Sequence, residues 1–174
     1  MTRATFVLLG CCVVMWACVC QINHTLSPLH LSVFVGGLFV AFSALRLGFR
    51  EGWWCSILIG LLMDSSAAVT FGFHALIFAI AHTIIYNFRG RIPREETAFG
   101  VVVALLTNIA LFLVITFALI HRSPNPSAMI TRLICDLLAS EILIIIVAPW
   151  FFALQERSLG LCGVDRRREQ RGLF

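Results

Sequence analysis

Apolar residues run along this chain in six blocks, about 4–21, 29–47, 52–64, 73–88, 97–120 and 134–154, separated by short polar breaks. A helix needs about 20 largely apolar residues to cross a bilayer, within a range of roughly 17–25, so the pattern predicts six membrane-spanning helices. The third block is short and is expected to continue into the apolar stretch after Asp64 or to sit where the membrane is thin. Trp53 and Trp54 at its start, and Trp150 near the end of the sixth block, stand where interfacial anchors belong.

The arginines give these helices a direction. With the N-terminus in the cytoplasm, six spans leave both ends inside. Eleven arginines (Arg3, Arg46, Arg50, Arg89, Arg91, Arg94, Arg157, Arg166, Arg167, Arg168 and Arg171) then fall inside, and Arg122 and Arg132 outside. That asymmetry is what the positive-inside rule requires, and a five-span arrangement with an intact N-terminus would scramble it. Residues 1–155 are therefore expected to form one six-helix transmembrane domain, and 156–174 a basic cytoplasmic tail containing the run DRRREQR. The stretches 23–28 and 121–132 face outward and 89–96 inward. The LLGC at 8–11 resembles a lipobox, but most of the apolar run follows the cysteine rather than preceding it. An uncleaved first helix is expected.

Composition strengthens this reading. Hydrophobic residues make up 60% of 174 positions and charged ones 13%, against about a quarter charged in a soluble domain. The formal charge of +4 sits at segment ends, which suits topogenic signals and contact with anionic membrane lipid rather than nucleic acid. Four of the seven cysteines (Cys11, Cys12, Cys18, Cys20) lie in the first block, with no C-x-x-C pair anywhere. Small apolar filler is the expected role, with no disulfide and no metal. In the second block Ser32 with Gly36, and Gly37 with Ala41, place small residues four apart, a pattern that lets helices approach closely.

A carboxylate at the centre of a spanning helix costs about 2.5–3.5 kcal/mol on insertion scales, so each polar residue needs a partner or water. Asp64, His74, Arg132 and Asp136 fall near the outer helix ends and are candidates for one outer polar cluster; Arg132 and Asp136 are also four apart, a local ion pair. His82, Asn108 and Glu141 fall near mid-depth on the fourth, fifth and sixth helices. Glu141 has no basic residue within its own helix turn, so it is expected to face the interior and meet His82 or Asn108. Interhelical hydrogen bonding is the simplest role for His82 and Asn108. Asp64 and Asp136 on facing helices would resemble a paired-carboxylate protease, yet no H-E-x-x-H, G-x-S-x-G or phosphate-cradling loop is present. An enzyme is not expected, nor a cofactor.

The stretch GLLMDSSAAVTFGFHAL (60–76) carries one further signal. Gly60, Asp64, Gly72 eight residues on, and Ala75-Leu76 together resemble the signature of the rod-shape-determining MreD family, with Ala68 where family members often have glycine. The resemblance implies a non-enzymatic subunit of the bacterial cell-elongation machinery in the cytoplasmic (inner) membrane. Its partners would be the scaffold MreC and, through it, the actin-like MreB and the elongation-specific glycosyltransferase and transpeptidase. It also implies a fold similar to the substrate-binding subunits of energy-coupling-factor vitamin transporters, which makes a transporter subunit the alternative. Within the motif, Asp64 is expected to accept hydrogen bonds from the turn leading to Gly72, where glycine permits an unusual backbone angle or a close helix approach.

Overall fold

A computed structural model describes residues 3–66, 69–91, 97–120 and 126–161. Among the described residues all regular structure is helical, in the order α1 (Arg3–Leu26), α2 (Gly36–Arg46), α3 (Phe49–Asp64), α4 (Phe73–Phe88), α5 (Thr97–Ile120) and α6 (Pro126–Leu161). Short 3-10 turns at Ser27–Leu29 and Arg89–Arg91 follow α1 and α4. Ala68, Asn125, Cys162, residues 92–96 and 121–125 of the expected loops and the tail from 162 lie outside the described residues, while 126–132, expected as loop, belong to α6.

The helix count agrees with the hydrophobic pattern, while several helix ends do not. The first block was expected to end near 21, but α1 continues through Gln21, Asn23 and His24 because no helix breaker intervenes before Pro28. The sixth was expected over 134–154, but α6 runs for 36 residues, a rise of about 54 Å. That exceeds the roughly 30 Å hydrocarbon core, so polar residues at both ends remain helical. Among them are Arg132, Asp136, Gln155 and Glu156, and residues 156–161 continue the helix instead of beginning a tail.

The largest departure lies in the second block. The helix expected from 29 starts only at Gly36, and residues 31–35 are irregular. Ser32 is therefore not on a helical face with Gly36. Eleven helical residues rise about 16 Å, about half of the roughly 30 Å hydrocarbon core, so α2 alone is too short to cross a bilayer.

α1, α5 and α6 are long and apolar enough to cross a membrane; α2 and α4 are shorter apolar helices. α2 is central, with every residue from Gly36 to Ala44 buried. A helix apolar all round belongs in an interior, and Phe39 and Phe42 of α2 pack edge-on against Phe151 and Phe152 of α6. Facing outward are Ile80 and Ile84 of α4, Leu106 and Phe117 of α5, and Ile142 and Ile146 of α6, all more than half exposed. Such a continuous apolar exterior would be a liability in water and is the normal surface in lipid.

Glycines set two of the closest approaches. A Cβ at Gly37 would stand 2.3 Å from the backbone nitrogen of Asn108, which brings α2 against α5. One at Gly60 would stand 2.6 Å from Cα of Ala75, which brings α3 against α4. At the opposite end of the bundle from Asp64, Arg46 of α2 pairs with Glu156 of α6 at 3.0 Å. There Arg89 donates to the carbonyl of Leu47 at 2.7 Å, closing the C-terminal end of α2.

Candidate functional site: the Asp64 turn and the stitched segment before α2

Asp64 ends α3 with its side chain turned back over the start of α4. The first N–H groups of a helix have no intrahelical acceptor, and here the carboxylate supplies one from eight to eleven residues away. One oxygen accepts from the backbone N–H of Gly72 at 2.9 Å and of Ala75 at 3.3 Å. The other accepts from the N–H of His74 at 3.0 Å and from its ring Nδ1 at 2.8 Å. The negative charge also meets the positive end of the α4 dipole. Asp64 and His74 are both buried, so these bonds form away from water, where an unpaired group is costly.

The other motif residues complete the same device. Gly72 adopts φ +93°, a left-handed conformation open to glycine. A Cβ there would meet nothing within 4 Å, so the requirement is backbone angle and not space. Gly60 lets the Ala75 backbone lie against α3 four residues before the carboxylate. Leu76 is 60% exposed and its N–H bonds back to the Gly72 carbonyl; its side chain belongs to the outer surface. The motif is a clamp closing the α3–α4 hairpin.

A second polar region serves the irregular segment before α2. Non-helical backbone inside a membrane protein must find its partners in protein, and side chains from three helices provide them. Asn23 of α1 accepts from the N–H of Val33 at 2.7 Å and donates to its carbonyl at 3.0 Å. Asp136 of α6 accepts from the N–H of Ser32 at 2.8 Å and from its hydroxyl at 2.9 Å. Ser140 accepts from the N–H of Phe34 at 2.9 Å. Asn108 of α5 donates to the carbonyl of Phe34 at 3.1 Å and accepts from the N–H of Gly37 at 3.1 Å.

These bonds redistribute the two clusters expected from sequence. The outer four resolve into two pairs, Asp64 with His74 and Arg132 with Asp136, the latter at 3.8 Å with Arg132 more than half exposed. The main partner of Asp136 is Ser32, not Arg132. Asp64 and Asp136 hold separate stretches of backbone and do not form a shared-proton pair. His74 and Asp136 do line one cavity of about 320 Å³.

At mid-depth Glu141 faces inward and accepts from Asn108 Nδ2 at 2.9 Å, while its second oxygen is enclosed without a partner. His82 does not join them. Its Nδ1 lies 3.3 Å from the Ser43 hydroxyl and 3.4 Å from that of Ser56, its Nε2 has no hydrogen-bond partner, and its ring packs against Phe49 and Tyr86. A Cβ at Gly52 would come within 2.5 Å of this imidazole, so α3 leaves room for the ring.

Sequence reasoning missed Asn23, Ser140, Ser43 and Ser56, and read Ser32 as a helix-packing residue where it is a partner of Asp136. Asn23 had a readable signal, as an amide on the α1 side of a proline-containing turn; the serines had none. No group of three or more potential metal ligands occurs among the described residues.

Six helices, three of them long and apolar enough to span, with a lipid-compatible exterior and an interior stitched by buried polar side chains, define an all-α membrane protein. Residues 2–157 match the family model for the rod shape-determining protein MreD, and the chain belongs to that family. No curated protein and no solved structure matches it.

Proposed function

We propose that this chain works in the bacterial cytoplasmic membrane as a non-catalytic subunit of the cell-elongation machinery, with both termini in the cytoplasm. In this role it links the MreC scaffold, and through it MreB and the elongation-specific glycosyltransferase and transpeptidase, to the membrane. The family match over nearly the whole chain carries the reading, because a rod-shape-determining family places it in shape maintenance. Physical form supports it. A helical bundle with short loops has little surface outside the membrane and must meet partners through helix faces, loop tips and its tail. The vitamin-transport alternative has no support in the family match.

Co-purification from bacterial membranes tests the proposal. MreC should accompany the tagged chain, and its depletion should round the cells. Recovery with an ATPase pair and a retained small molecule, without MreC, would overturn the assignment. The orientation has its own test at Cys162 and at a cysteine introduced at position 125. In intact cells a membrane-impermeant thiol reagent should label position 125 and spare Cys162; the reverse pattern contradicts the topology.

A further inference from the structure

The cavity of about 320 Å³ shared by His74 and Asp136 is not needed by the hairpin clamp or by the stitching of residues 31–35, since both sets of hydrogen bonds close without filling it. We infer that it binds a small amphipathic amine, with the protonated nitrogen toward His74 and Asp136 and the apolar body against Trp16, Phe34 and Phe112. This inference is independent of the role in cell elongation.

Size comes first. Small-molecule sites begin at about 300 Å³ and are mostly apolar with a few convergent polar groups. This cavity has that make-up, lying between the outer halves of α1 and α5, the irregular segment before α2 and the ends of α3, α4 and α6. Its aromatic wall is continuous. The Phe34 ring centroid lies 6.1 Å from that of His74 and 6.4 Å from that of Phe112.

The polar groups decide the ligand's charge. A carboxylate can only accept, so the 2.8 Å bond from His74 Nδ1 to Asp64 fixes the ring proton on Nδ1. In the neutral imidazole Nε2 is then an acceptor. A carboxylate offers about four acceptor positions, and among the described residues the hydrogen bonds to the Asp136 carboxylate come from Ser32. The cavity thus presents acceptors to a ligand. No arginine lines it among the described residues; Arg132, more than half exposed, pairs with Asp136 from outside the lining at 3.8 Å. An anion would face the Asp136 carboxylate on the wall. A cation gains from that carboxylate and from the aromatic faces. A neutral alcohol could reach the same acceptors but would gain nothing from the charges.

Three probes of similar shape separate these cases: 2-phenylethylamine, 2-phenylethanol and 3-phenylpropionate. Binding of each to the full chain in lipid nanodiscs is measured at neutral pH by titration calorimetry, with empty nanodiscs as the partition blank. The amine should bind saturably, one per chain, and at least about tenfold more tightly than the alcohol or the acid. Thr116→Leu, which fills the cavity without removing a stitching bond, should weaken the amine at least about tenfold while leaving the thermal transition in place. Asp136→Asn should erase the preference for amine over alcohol; should that variant fail to fold, the Thr116→Leu result decides. Equal binding of all three probes, tighter binding of the acid, absence of saturable amine binding, or amine binding untouched by Thr116→Leu would each overturn the inference.

Discussion

The turn after α3 and the irregular segment before α2 solve one problem by opposite routes. Each is a break in helical structure within a membrane protein, and each leaves backbone groups that water cannot satisfy. At the turn, a single carboxylate gathers three backbone N–H groups and a ring nitrogen from residues eight to eleven positions away. Before α2, four side chains on α1, α5 and α6 each take a share, some from more than a hundred residues away. One repair is local and is complete once a hairpin forms. The other exists only when the bundle has assembled. The difference teaches that a buried aspartate or asparagine in such a protein is first to be read as a backbone partner, and only then as a site.

Substitutions can break the comparison at either region. The largest effect is expected at Asn108. Asn108→Leu leaves the Gly37 N–H, the Phe34 carbonyl and Glu141 without their partner, and at about 1–3 kcal/mol per unsatisfied buried group the loss should total about 3–5 kcal/mol. Reversible unfolding in mixed micelles measures it, and a loss below about 1 kcal/mol would mean that the segment does not depend on this residue. Gly60→Ala should come next. The Ala75 backbone cannot yield as a flexible side chain can, so overpacking of about 1–3 kcal/mol is expected, read as a lower thermal midpoint. Gly72→Ala should cost about 1–2 kcal/mol through backbone strain alone. Gly72→Asn should cost less, because asparagine tolerates the left-handed region; equal losses would argue against a conformational cause. Smallest of all, Glu141→Gln should be within about 0.5 kcal/mol of the parent, because glutamine keeps the acceptor for Asn108. Glu141→Leu should lose about 0.6–2 kcal/mol.

The sequence disclosed the local repair far better than the distant one. Gly60, Asp64, Gly72 and Ala75 lie within sixteen residues, so their spacing already encodes the geometry of a hairpin. The inward turn of Glu141 toward Asn108 was also readable, because those are among the few polar side chains at that depth. His82 was misplaced because depth along a helix says nothing about azimuth. His82 faces Ser43 and Ser56, two serines that carry no charge or spacing signal. The break before α2 was hidden for a related reason. Leu31, Val33, Phe34 and Val35 are as apolar as any helix, and hydropathy registers side chains while the break concerns backbone. Pairings such as Ser32 with Asp136 span 104 positions and depend on how the helices assemble, which no single stretch reports.

The central claim is that Asp64 belongs to the hairpin and does not serve as a charge for a partner. Both of its oxygens accept hydrogen bonds, so Asp64→Asn keeps the side-chain shape but turns an N–H₂ toward backbone N–H donors. The decisive measurement is the unfolding free energy of purified Asp64→Asn, read beside the shape of cells that carry it. A loss of about 1–3 kcal/mol with a matching fall in folded protein is the expected result. Parental stability in a variant that nonetheless rounds the cells would contradict the account and return Asp64 to a contact surface.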